Sequence, residues 1–176
     1  MTVKHFLRKI FPNKVRPSEE ARRILIVDDD ESLSDSLKDI LEGEGYEIFL
    51  AYTVAEASEL AQEVSPRLAI VDLKLPDGSG TALLSELSRV APNITCILMT
   101  AYADVDSAVL AIERGVFYYL RKPVDPSELV ELVDLAFETI RLKEEKRETE
   151  DALKARNKEL EEIVERLQKL TGPSDS

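Results

Sequence analysis

A chain of 176 residues with 44% apolar and 33% charged side chains can bury one domain-sized core and carry an extension, which argues against wholesale disorder. One cysteine, Cys96, and one histidine, His5, exclude an internal disulfide, a multi-cysteine zinc site and a multi-histidine metal site. The net charge is −12, yet residues 1–23 carry a net +5, leaving −17 on the remainder; an acidic body argues against nucleic acid as a partner, because phosphate contacts dominate that affinity.

In chain order, residues 1–16 come first. Val3, Phe6, Leu7, Ile10 and Phe11 share one helical face and Lys4, His5, Arg8 and Lys9 the other. A basic amphipathic helix of this kind can lie on an anionic membrane surface; an arm that is mobile or docked on the protein itself is the blander alternative. Residues 12–23 read as a linker. The same basic residues interrupt any signal-peptide core, and no apolar run approaches the ~18 residues of a membrane span. The expectation is a cytoplasmic protein, with peripheral membrane contact through residues 1–16 left open.

From residue 24 to about 140, short apolar runs alternate with helical spacing. The predicted strands are Ile24–Asp28, Tyr46–Leu50, Leu68–Asp72, Ile94–Met99 and Val116–Leu120. Between them lie the stripes Leu33/Leu37/Ile40/Leu41, Val54/Ala57/Leu60/Ala61/Val64, Leu83/Leu84/Leu87 and Val105/Ala108/Val109/Ile112. This rhythm predicts an α/β fold, a doubly wound five-stranded parallel sheet with ligands at the C-terminal strand ends. Residues 127–171 lack both Gly and Pro. Leu129, Val133, Ala136, Phe137 and Ile140 can pack on the sheet as a last helix, which runs on for about 65 Å. Leu153, Leu160 and Leu167 recur every seven residues, with Ile163 and Leu170 at the second apolar position. That is a coiled-coil seam, interrupted by Lys146, Thr149 and Arg156, and it predicts a modest parallel homodimer through residues 141–170 or pairing with another protein's helix. Residues 172–176 read as a disordered tail.

Four strand ends carry chemistry: Val27-Asp28-Asp29-Asp30, Val71-Asp72-Leu73-Lys74, Met99-Thr100-Ala101 and Arg121-Lys122-Pro123. In a doubly wound sheet these face one crevice, which then holds three carboxylates, a hydroxyl and an ammonium. Carboxylates at that density repel one another, and a hard divalent cation with oxygen ligands, Mg²⁺, relieves the repulsion. Each element alone has a plainer explanation. Asp30 can cap a helix, Asp72 can close a turn, Thr100 can cap the next helix and Lys122 can be a surface lysine. The conjunction on successive strands is what points to a site.

Over residues 22–140 the sequence resembles the receiver domain of two-component response regulators, with every hallmark position filled. The resemblance implies the flavodoxin-like strand order 2-1-3-4-5 and a receiver spanning 24–140; the charged coiled-coil helix read from the periodicity, 141–171, follows it. It implies that Asp72 accepts a phosphoryl group from a histidine kinase or phosphotransfer protein. Asp28 and Asp29 would position Mg²⁺ together with Asp72 and the Lys74 backbone carbonyl. Thr100 and Lys122 would bind phosphoryl oxygens, the Lys122–Pro123 bond would be cis, and Tyr119 would report the switch. Lys74 and Tyr102 occupy the variable positions beside the site, and bulky Tyr102 implies slow hydrolysis. Catalysis would be limited to the chain's own phosphorylation and dephosphorylation, and output would pass to a downstream protein target without a DNA-binding domain. Two alternatives are a scaffold acting through its coiled coil and a haloacid-dehalogenase-like phosphatase using Asp28, Asp30, Thr100 and Lys122. The phosphatase leaves Asp72 and the Asp77-Gly78 loop unexplained.

Overall fold

The computed structural model describes residues 22–101 and 116–170. The N-terminal arm, Tyr102, the Val105–Ile112 stripe and the 172–176 tail lie outside the described residues.

Strand β1 (Arg23–Val27) leads into helix α1 (Glu31–Gly43), and β2 (Glu47–Ala51) into α2 (Val54–Val64). Strand β3 (Leu68–Asp72) is followed by a two-residue antiparallel ribbon, Lys74–Leu75 against Gly78–Ser79, and by α3 (Gly80–Val90). Strands β4 (Thr95–Thr100) and β5 (Tyr118–Arg121) precede α4 (Pro126–Leu170). The main sheet is wholly parallel in the order β2-β1-β3-β4-β5, as the resemblance implies. Strand β3 has the predicted limits, and the other four strands differ from theirs by one or two residues, because apolar pattern marks burial while the ladder ends where backbone bonds end. Asp28, for example, still donates its N–H to Ala51 but lies past the last β1 pair.

Each described helix within the sheet region starts on a side-chain cap. Asp30 accepts from Leu33 N–H, Thr53 from Glu56 N–H and Ser79 from Thr81 N–H. The apolar stripes then face inward: Leu37 and Leu41 on α1, Ala57 and Ala61 on α2, Leu83, Leu84 and Leu87 on α3. Side chains alternate along the strands. Leu25, Val27, Ala69, Val71, Cys96 and Leu98 form one packed layer with α2 and α3. Ile24, Ile26, Leu68, Ile70, Ile97 and Met99 point to the opposite face and are equally buried. Among the described helices, α1 and the first turns of α4, with buried Leu129, Val133 and Ala136, remain to cover that face.

The chain divides into two compact units, residues 1–138 and 139–176. Within the first, Tyr46 donates its hydroxyl to Asp134 at 2.7 Å and its ring stacks on Phe137 with centroids 5.0 Å apart. Within the second, α4 is a solvated helix. Leu153, Leu160, Ile163 and Leu167 are 44–60% exposed, and Leu142 and Val164 join them.

Candidate functional site

Strand register assembles the site. Val27 pairs with Val71, Asp72 with Met99, and Thr100 with Arg121. The residues at or just after those positions, Asp28, Asp72, Thr100 and Lys122, therefore emerge side by side at the C-terminal edge of the sheet. A cleft of about 250 Å³ opens there, lined by Asp29, Asp72, Lys74, Leu75, Pro76, Thr100 and Ala101.

Lys122 holds the centre. Its Nζ donates to Asp72 Oδ2 at 2.5 Å and lies 2.6 Å from Asp28 Oδ2. The contact with Asp28 is an ion pair off the hydrogen-bond direction, so this fully buried oxygen receives no aligned donor. The outer oxygens are held by backbone: Asp30 N–H donates to Asp28 Oδ1 at 3.0 Å and Lys74 N–H to Asp72 Oδ1 at 3.1 Å. Burial pushes the Asp28 carboxyl above its ordinary pKa, against the opposing pull of Lys122 and the Asp30 amide. For Lys122, burial works to lower the pKa, but its close contacts with the Asp28 and Asp72 carboxylates carry it above the ordinary value. Lys122 N–H also donates to the Thr100 carbonyl at 2.8 Å, and the Lys122–Pro123 peptide is cis.

Carboxylate oxygens of Asp28, Asp29 and Asp72 lie within 4.8 Å of one another. Three carboxylates facing one ammonium leave a negative excess, and the buried Asp28 Oδ2 lacks an aligned hydrogen bond. An all-oxygen set of this kind fits a hard divalent cation such as Mg²⁺.

Several supporting residues were not legible as such in the sequence. Asp77, read there only as part of a tight loop, accepts N–H bonds from Val54 at 2.8 Å and Ala55 at 3.1 Å, tying the loop after Asp72 to the start of α2. Those two bonds, the Val54 one foremost, hold its carboxyl below the usual range. Gly80 packs so closely that a Cβ there would stand 2.1 Å from the Asp72 carbonyl oxygen. The buried Ser34 hydroxyl donates to the Asp28 carbonyl at 3.4 Å. A Ser on the apolar face of α1 was the one available signal. Asp30 is a helix cap, the plainer of its two readings. Cys96 is buried, and burial pushes its thiol up to about 12, so it takes no part in the chemistry. Tyr119 is half-buried against the α2/α3 layer.

A parallel five-stranded α/β sheet with strand-terminal acids and a lysine defines a phosphate-chemistry or cation-binding class. Residues 24–134 match the response regulator receiver domain family, and the chain belongs to that family. This assignment sets the phosphatase alternative aside. The transcriptional regulatory protein GlrR of Escherichia coli K12 is 35% identical over 121 residues, 69% of this chain but 27% of GlrR, so the chain spans about a quarter of that relative. A CheY-like receiver domain protein from Methanospirillum hungatei JF-1 superposes with a TM-score of 0.67 at 38% identity, covering 69% of this chain and 98% of that one. A response regulator from Burkholderia pseudomallei, solved with a phosphorylated aspartic acid, a calcium ion and citrate, gives 0.61 at 28% identity, covering 70% and 72%. Among the described residues no helix is long and apolar enough to cross a membrane.

Proposed function

We propose that this chain receives a phosphoryl group on Asp72 from the phosphohistidine of a kinase or phosphotransfer protein and signals through protein contacts. The observation that carries this reading is the Lys122 ammonium set between Asp72 and Asp28 at the C-terminal edge of the sheet. An Asp72 carboxylate oxygen attacks phosphorus; the O–P bond forms as the P–N bond breaks. The electron pair returns to the imidazole nitrogen, which takes a proton from solvent. Charge gathers on the phosphoryl oxygens, and the chain must neutralise it in place. Lys122 turns its ammonium to one oxygen and the Thr100 hydroxyl donates to another. Asp28, Asp29, Asp72 and the Lys74 carbonyl would hold Mg²⁺, which when bound supplies positive charge beside those same oxygens. The Lys74 amide keeps Asp72 aimed into the cleft.

Capture of the new dianion by Thr100 and Lys122 gives the switch its driving force, and Tyr119, half-buried against the core, is the residue proposed to respond. Catalysis stops at the chain's own phosphorylation and hydrolysis. The partners of this reaction put the chain in the cytoplasm; peripheral membrane contact rests on the pattern of residues 1–16 alone. The test is labelling by a small acyl phosphate with Mg²⁺, read on a phosphate-affinity gel. Wild type should be labelled and lose labelling in EDTA, and Asp72→Asn should not be labelled. Undiminished labelling of Asp72→Asn would overturn the assignment.

A further inference from the structure

The apolar row on α4 beyond residue 139 has no counterpart in the phosphoryl chemistry. Leu153, Leu160 and Leu167 occupy one seam position and Ile163 the other, all 44–60% exposed. Exposure of a regular row on that scale marks a contact surface. We infer that its occupant is a second copy of the same helix, lying antiparallel with Leu160 of each copy against Ile163 of the other.

The two orientations differ in what they do with charge. A parallel, in-register pair sets Arg156 against Arg156 and Lys146 against Lys146 inside the seam, and places Glu145 beside Glu150 of the second copy. Within residues 141–170 it creates no opposite-charge flanking pair; the one it makes, Glu138 beside Lys143 of the second copy, lies a heptad before the apolar row. The antiparallel register stacks Leu160 on Ile163, twice by symmetry, and sets Leu153 level with position 170, over residues 153–170. Arg156 then faces Leu167, with its guanidinium held outward by Glu159 at 2.6 Å on its own helix. Lys146 and Thr149 fall beyond Leu170 of the second copy and leave the seam. Flanking residues pair like with like by position, and side chains tilt toward each helix N-terminus. Glu159 therefore meets Arg166 of the second copy, and Arg166 meets the second copy's Glu159. Opposed helix dipoles add to the preference. This assembly is independent of the phosphoryl reading.

The test uses the full chain. Sedimentation equilibrium should show a dimer at high micromolar concentration. A spin label on Asp151→Cys, with the buried Cys96 left in place, then separates the orientations. Antiparallel pairing offsets the two labels by 21 residues, about 31 Å along the axis, whereas parallel pairing sets them level, within about 25 Å. Glu159→Arg or Arg166→Glu alone should weaken dimerisation by about tenfold, and the double swap should restore it. Residues 159 and 166 stand two turns apart on one helix, so that rescue can only pass between chains. A monomer, level labels, or a double swap as weak as the singles would each overturn the proposal.

Discussion

Replacing Lys122 by Met keeps the length of the side chain and removes the ammonium. Asp28, fully buried, and Asp72, 11% exposed in its side chain, then face each other without the cation that stands 2.6 Å from one and 2.5 Å from the other. Removing one partner of a buried ion pair costs about 3–5 kcal/mol. Lys122 is 16% exposed and the cleft admits water to Asp72, so screening brings the figure to about 2–3 kcal/mol. For a domain of this size that is a fall in Tm of about 10 °C at pH 7.5 in EDTA, read by calorimetry. The sign of the pH dependence follows from Asp28, whose folded-state pKa already lies above its unfolded value. In the variant it rises further, so the ionised form penalises the fold at neutral pH. The penalty is relieved as pH falls through the folded pKa, and the deficit against wild type should shrink toward pH 5. Mg²⁺ should recover more Tm in the variant than in wild type, because the cation replaces the missing charge. A variant that melts with wild type at pH 7.5, or with a deficit indifferent to both pH and Mg²⁺, would refute this charge account and leave only lost packing.

Gly80→Ala should cost about 3 kcal/mol and slow Asp72 labelling in the acyl phosphate assay, since the added Cβ would lie 2.1 Å from the Asp72 carbonyl and that backbone must shift. Asp77→Asn should lower Tm at neutral pH and flatten its fall in acid. The depressed folded-state pKa means that wild type holds this contribution above the unfolded pKa and loses it as pH drops through the folded one; melts from pH 7 to 3 would show it. Tyr46→Phe keeps the stack on Phe137 but removes the 2.7 Å bond to Asp134, and should cost about 1–2 kcal/mol in urea unfolding without altering labelling.

The elements and the membership of the site were legible because their signals are local. A parallel strand buried on both faces is a short apolar run, and β1 and β3 are such runs. A helix over a sheet shows a 3.6-residue stripe, and the side chains that leave the top of a strand lie at the end of its run or just past it, Asp28 directly after Val27 and Lys122 two residues after Leu120. Local pattern could not say which distant atoms touch. Only strand order and register bring the Lys122 ammonium to the Asp72 carboxylate, 50 residues earlier in the chain. Only the fold of the two-residue ribbon carries Asp77 back to the amides of Val54 and Ala55, and only the close approach of α3 to β3 makes Gly80 necessary at its position. The bond from Tyr46 to Asp134 spans 88 residues, and neither residue's neighbours announce it. Periodicity records which side of an element faces the core; pair distances arise from crossovers and packing, which act between elements and leave no mark on the spacing within any one of them.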